Sequence, residues 1–313
     1  MAVPVTAFPT VAVADEPPAT SVLGSAPAAS NAAGEREEIE IDVLLEAVWR
    51  SYGFDFRQYA RGSLRRRLWR RTELEGLATL SGLQERLLHQ PACMERLLQD
   101  LSINVTAMFR DPQFFAALRT KVVPLLRTYP FVRIWNAGCS TGEETYSLAI
   151  VLTEEGIYDR CRIYATDINS TVLQRAQVGV FGLDQMKEYT ANYLAAGGTC
   201  SFSRYYTAAY DGARFDAALT RNVVFAQHNL AADHSFNEFH LIVCRNVMIY
   251  FDTPLQARVH RCFFDSLVRF GVLGLGPRES VAFTPHQNDY EVLDDTGRLY
   301  RRAGHSSRQA KSP

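Results

Sequence analysis

Residues 131–150, FVRIWNAGCSTGEETYSLAI, restrict the fold more than any other stretch of the chain. Residues 131–137 form a short apolar run, the pattern of a strand buried on both faces. The run ends in Gly138-Cys139-Ser140-Thr141-Gly142, a turn with a glycine at either end. Glu143, Glu144, Tyr146, Leu148 and Ile150 then lead into a helix. Strand, glycine turn and helix in that order open a nucleotide-cofactor sheet, in which the turn faces the ligand.

The sequence that follows repeats the unit. Residues 162–166 read as a strand ending at Asp167, and Asn169 or Ser170 caps a helix over 172–177. Further strands are expected at 222–226, ending near His228-Asn229-Leu230, and at 239–244, ending at Arg245-Asn246. Residues 255–270 read as an amphipathic helix. Short late strands are expected at 272–273, 281–283 and 299–300. Repeated βα units with apolar strands imply an α/β domain, a mostly parallel sheet with right-handed crossovers. Residues 189–221, rich in Gly, Ala, Ser and aromatics, are too long for an ordinary connection and read either as a small inserted subdomain or as a lid.

The chain before the sheet differs in kind. Residues 1–36 are mostly Ala, Pro, Val, Ser and Thr, too poor in large hydrophobes to offset the entropy of ordering, and read as a disordered tail. No Lys or Arg precedes the mildly apolar start and prolines interrupt it, so a signal peptide is not expected. Residues 38–118 carry apolar residues at helical spacing (Ile41, Val43, Leu44, Leu45, Val48 and Trp49; later Leu80, Leu83, Leu87 and Leu88, then Met94, Leu97, Leu98 and Leu101) and read as an all-helical domain. The sheet domain is expected over 119–302, and 303–313 as a second tail. Asp111 is expected to cap a helix that begins at Pro112, which leaves 104–110 as the linker.

With 313 residues, 47% hydrophobic and 21% charged, the chain is an ordinary globular one, and its net charge of −1 excludes a molecule that is a nucleic-acid binder by bulk charge. Six cysteines without a CxxC pair fit buried thiols in a reduced, cytoplasmic protein. No histidine spacing points to a metal. No apolar run is long enough to insert into a membrane. Local charge is different: between Asp55 and Arg71 seven arginines stand against one aspartate. This basic run (Arg61, Arg65, Arg66 and Arg70 among them) reads as a solvated helix face, a nucleic-acid arm or a dock for an acidic protein; it has only Trp69 as a stacking aromatic.

The glycine turn decides among three ligands. A phosphate-binding loop needs Lys and then Ser or Thr after the second glycine, and a dinucleotide site prefers G-x-G-x-x-G. Here Glu143-Glu144 follow, and they repel a phosphate. S-adenosylmethionine carries no phosphate; it has a cationic sulfonium, an ammonium and a ribose diol. Carboxylates beside the turn suit it, and Asp167 ends the next strand, where such sheets hold a ribose.

With these residues assembled, the sequence resembles the CheR-type chemoreceptor glutamate methyltransferases over about residues 38–302. NVTAMFRDPQFF, NAGCSTGEETYSLAI, IYATDINSTVL, HNL and LIVCRNVMIYFD carry the resemblance, and the STGEE and CRNVMIYF blocks are specific to that family. The resemblance implies a helical N-terminal domain, a Rossmann-like methyltransferase domain and a small β subdomain inserted at 189–221. It implies S-adenosylmethionine as donor, S-adenosylhomocysteine as by-product and a glutamate methyl ester as product. By motif position, Asn104, Thr106 and Arg110 reach the cofactor from the linker, beside Gly138; Glu144 takes the methionyl ammonium; Asp167 holds the ribose; Asn229 and Leu230 flank the adenine. Arg245, Asn246 and Tyr250 line the reaction end, where Arg110 and Tyr250 are expected near the acceptor and Arg245 in a more structural role. The partner implied is the acidic helical region of a chemoreceptor, docked on Arg61, Arg65, Arg66 and Arg70, with no nucleic acid and a monomeric enzyme. Met108 departs from the family pattern of an aromatic pair before Arg110, Thr145 from a common Pro, and Gly276-Pro277-Arg278-Glu279 from a Gly-His-Ser-Glu-like turn. Two rival functions remain open at this point: a non-catalytic S-adenosylmethionine-sensing docking module, and an RNA or small-molecule methyltransferase.

Overall fold

A computed structural model describes residues 29–102, 106–210 and 212–304. Of the tails expected at 1–36 and 303–313, residues 1–28 and 305–313 lie outside the described residues. The chain divides at Ile39, and the described residues from Glu40 on form one packed unit.

The helical region contains α1 (Ala29–Tyr52), α2 (Arg61–Leu74), α3 (Leu80–His89) and α4 (Pro91–Leu101). α1 starts within the stretch read as a tail: Ala32, Ala33 and Glu35 favour helix, and extending an existing helix costs far less than nucleating one. Thr79 caps α3 by accepting from the Gly82 amide at 3.0 Å, and Pro91 opens α4 where its missing N–H is not needed. In α4, Met94, Leu97, Leu98 and Leu101 recur at i, i+3, i+4 and i+7 and meet Leu64 and Leu68 of α2 in one core. Glu75 ties the ends of these helices together by accepting from Arg96, Arg71 and Arg86. The Arg96 hydrogen bond in particular holds its carboxyl at about 2.

α2 is less uniformly solvated than its sequence predicts. Arg61, Arg65, Arg66 and Arg70 are exposed, but Arg67 and Arg71 are buried. Arg71 pairs with Asp100 and Arg67 donates to the Leu101 carbonyl at 2.7 Å, so these two satisfy the neighbouring helix rather than face water.

The second region is built on β1 (Val132–Ala137), α7 (Glu143–Glu154), β2 (Cys161–Asp167), α8 (Ser170–Val178), β6 (Val223–Gln227), β7 (Phe239–Cys244), α10 (Thr253–Ser266), β8 (Leu267–Leu275), β9 (Tyr290–Asp294) and β10 (Leu299–Arg302). The sheet order is β6-β2-β1-β7-β8-β10-β9, with parallel pairing from β6 to β8 and antiparallel pairing at β10 and β9. Strand order reverses between β1 and β7, so the crevice at their carboxyl ends is the switch point of the sheet. The buried runs Ile134-Trp135 and Leu241-Ile242-Val243 form its centre. α5 (Pro112–Ala117), read from sequence as part of the helical region, places Phe114 and Phe115 in the core under this sheet, and the short α6 (Val123–Leu126) adds Val123 and Leu126 to that core.

A second, antiparallel sheet of three strands has the order β3-β5-β4 (β3 Val180–Gly182, β4 Tyr206–Ala209, β5 Gly212–Phe215). Its first strand comes from before residue 189, and α9 (Met186–Ala195) runs between β3 and the β4–β5 hairpin. Glu154 anchors this region to α7 by accepting from the hydroxyls of Tyr193 and Tyr205 and from Arg119.

The late elements differ from expectation in two places. α10 stops at Ser266, not 270, because residues 267–275 pair with β7 and sheet hydrogen bonds outweigh the local helical period. Residues 281–283 are no strand: Phe283 has φ +61°, and the chain turns there before β9, a strand the sequence reading left out.

Candidate active site

The site lies at the carboxyl ends of β1, β2 and β7. Gly138 follows β1 at φ +76°, and a Cβ there would stand 2.4 Å from Val247 Cγ2. Gly142 has φ +99°, and a Cβ there would come within 2.8 Å of the Ala176 methyl. Both glycines are therefore needed for chain to approach chain: one admits the loop after β7, the other admits α8. The Gly138 and Cys139 amides donate to the Thr166 carbonyl at 2.8 and 2.9 Å, which brings the turn beside the end of β2.

Asp167 is at that end. Its carboxylate accepts from the Ser140 amide and the Asn169 amide, both at 3.0 Å, and is otherwise directed into the cleft. Burial pushes its carboxyl up from the usual range, and the Asn169, Ser140 and Ile168 amides oppose that rise. Asn169 caps α8 as expected, accepting from the Thr171 amide at 2.9 Å.

Glu144 stands in the first turn of α7, where a carboxylate suits the helix dipole. It accepts from Asn136 Nδ2 and from Arg245 Nη1, each at 2.8 Å. Arg245 is the electrostatic centre of the site. Its side chain is 1% exposed and lies over the Phe114 ring at 4.2 Å. It donates through Nη2 to the Arg110 carbonyl at 3.0 Å and to Asp111 at 2.7 Å. Asp111 thus does not cap α5: it sits at φ +55°, makes no cap hydrogen bond, and sends its carboxylate to Arg245 instead.

Thr106 and Arg110, from the linker, line the same cleft as Gly138, Glu144, Asp167 and Asn246; Tyr250 closes it. Asn104 lies outside the described residues. Burial raises the Tyr250 hydroxyl, while the charges of Arg67 and Arg110 pull it down, and the Arg67 guanidinium sits 5.1 Å from its ring centre. Asn229 and Leu230 line a smaller adjoining cavity that shares Gly138 and Asp167 with the first. The Asn229 side-chain oxygen accepts from the Ala231 amide at 3.0 Å.

Sequence reasoning missed Glu279, which it saw only as part of an atypical turn. Its buried carboxylate accepts from the amides of Gly276, Asn246, Val247 and Met248 at 2.7–2.9 Å. It holds Asn246 at φ +60° and shapes the loop leading to Tyr250. A G-x-x-E turn after a late strand is the signal that was available.

This arrangement fits S-adenosylmethionine. Two carboxylates and two arginines line the cleft without a lysine, and an acidic helix start replaces a phosphate cradle. A parallel sheet with these groups at its switch point defines an S-adenosylmethionine-dependent methyltransferase.

The family comparison agrees. "CheR methyltransferase, SAM binding domain" matches residues 104–297, and "CheR methyltransferase, all-alpha domain" matches 39–102. The chain belongs to the CheR methyltransferase family. A Pseudomonas putida protein named "Putative methyltransferase Cher3" is 48% identical over 266 residues, covering 85% of this chain and 97% of its own. A "Chemotaxis protein methyltransferase" of Listeria innocua is 30% identical over 253 residues (78% of this chain, 92% of its own). "Chemotaxis protein methyltransferase 2" of Pseudomonas aeruginosa is 34% identical over 224 residues (70% and 79%). Among the described residues, no helix is long and apolar enough to cross a membrane.

Proposed function

We propose that this methyltransferase esterifies glutamate side chains on the acidic helical region of a chemoreceptor or related chemosensory protein, acting as a cytoplasmic monomer. The observation that carries the reading is that Arg110 and Tyr250 line the same cleft as Asp167 and Glu144, a cation and a hydroxyl beside two carboxylates. S-adenosylmethionine supplies an electrophilic methyl group on a sulfonium.

A glutamate with a pKa of about 4.3 is already ionised at neutral pH, so no general base is required of the protein. What the protein supplies is alignment and a guided, desolvated carboxylate; orientation alone lowers such barriers by roughly 7–11 kcal/mol. Arg110 offsets the cost of bringing that carboxylate out of water, and Tyr250 donates to it. Asp167 holds the ribose, Glu144 the ammonium, and Asn229 and Leu230 border the adenine. Asn104, Thr106, Gly138 and Asn246 complete the donor side. Arg245 acts through others, holding Glu144, Asp111 and the Arg110 carbonyl. The division of labour follows the two regions, with docking on Arg61, Arg65, Arg66 and Arg70 of α2 and chemistry on the sheet.

The test is transfer of a labelled methyl group to a receptor fragment, followed by release of methanol in base, which only carboxyl esters give. Arg110→Ala should lower turnover at saturating cofactor by about 100-fold. Full turnover with only a raised cofactor KM would defeat the Arg110 assignment. Stable label that base does not release would defeat the ester.

A further inference from the structure

The cleft has a wall that does not come from the sheet. Tyr59, in the turn before α2, lines both the main cavity with Asp167 and the adjoining cavity with Asn229 and Leu230. It packs against two cores at once, that of the helical region and that on one face of the sheet. Its ring lies 5.0 Å from Phe56 on one side and 5.0 Å from Phe251 on the other.

The backbone holds it there. Ala60 donates to the Tyr250 carbonyl at 2.8 Å, and Asp252 donates to the Gln58 carbonyl at 2.9 Å, so residues 58–60 and 250–252 form a two-bond antiparallel bridge around Tyr59 and Phe251. The ring is thus fixed in position while the hydroxyl has no hydrogen-bond partner among the described residues. Asp167 is near enough that its charge adds to burial in holding the phenol protonated. A protonated donor without a partner, on a residue that lines both cavities together with Asp167, is an open hydrogen-bond position.

We propose that Tyr59 is a cofactor-binding residue contributed by the helical region, its hydroxyl bonding the nucleoside of S-adenosylmethionine and its ring closing the adenine side. This rests on the assignment of Asp167 and Asn229 to that nucleoside. It also makes cofactor binding a contact between the two regions: the ligand touches the residue that precedes the α2 N-cap, Ala60, and so the start of the basic helix.

Calorimetric titration tests the proposal with two probes: S-adenosylhomocysteine, and methylthioadenosine, which lacks the amino-acid end. Tyr59→Phe keeps the ring and its packing and removes only the hydroxyl; it should weaken both probes by about 3- to 10-fold, the worth of one hydrogen bond, with the unliganded melting temperature unchanged. Tyr59→Leu should weaken both further. A purely structural tyrosine predicts that Tyr59→Phe binds both probes within 2-fold of wild type, and that result overturns the proposal. Weakening of S-adenosylhomocysteine alone overturns the placement at the nucleoside. If the wild-type chain binds neither probe while folded, the reading of the whole site fails, and this proposal with it.

Discussion

Replacing Arg245 by Met tests the electrostatic centre of the site. Methionine fills much of the volume and keeps contact with Phe114, so the change is chiefly the loss of a charge. The arginine side chain is 1% exposed and Glu144 13%, so the substitution strands a nearly buried carboxylate. Removing one partner of such a pair costs about 3–5 kcal/mol. The Asp111 bond adds little: that carboxylate is 39% exposed, and solvent screening limits it to about 1 kcal/mol or less. At about 2–3 °C per kcal/mol for a chain of this size, the melting temperature should fall by roughly 6–15 °C. The linker turn at Arg110 and Asp111 loses its anchor as well, so S-adenosylhomocysteine should bind at least 10-fold more weakly. The double variant Arg245→Met/Glu144→Gln leaves no buried charge alone and should recover at least half the lost stability without recovering ligand affinity. Thermal denaturation and calorimetry read both quantities. A loss below 1 kcal/mol in the single variant, or a double variant no more stable than the single, would refute the reasoning.

Two further outcomes are expected. Burial holds the His260 imidazole down to about 4, with His286 adding to the effect. The folded value lies below the unfolded one of 6.5, so the unfolded chain binds the proton first. Stability from this group is complete above pH 6.5 and is lost as pH falls toward 4, by up to about 3 kcal/mol. His260→Phe should flatten that limb of a pH–stability profile, and an unchanged limb would assign it to other groups. Reversing charge at Arg65 and Arg66, both exposed on α2, should slow methylation of a protein substrate at least 10-fold and leave S-adenosylhomocysteine affinity as it was; equal loss of both would show that the helix does not serve docking.

The part of the cleft built by the glycine turn and the end of β2 was legible in the chain itself. Strand periodicity, the two glycines and the acid at the end of β2 are local patterns, and each is tied to backbone geometry that neighbouring residues impose. The same holds for the cap at Asn169, whose side chain bonds an amide two residues away. What local pattern could not reach was the destination of long charged side chains. Arg245 meets Glu144 across 101 residues and Asp111 across 134, and Glu279 reaches the Asn246 loop across 33. Arg67 and Arg71 turn inward for the same reason, drawn to acceptors on α4 that are distant in sequence.

The sequence by itself therefore determined the sheet, the glycine turn and the carboxylates beside it, because hydrophobic period and turn chemistry act over a few residues. Only the tertiary structure decided which arginines face water, that Asp111 serves Arg245 rather than a helix end, that residues 267–275 form a strand, and that Tyr59 stands over the cleft. Each of these depends on which distant groups come to meet a buried charge, a sheet edge or an unpaired backbone amide once the chain has folded.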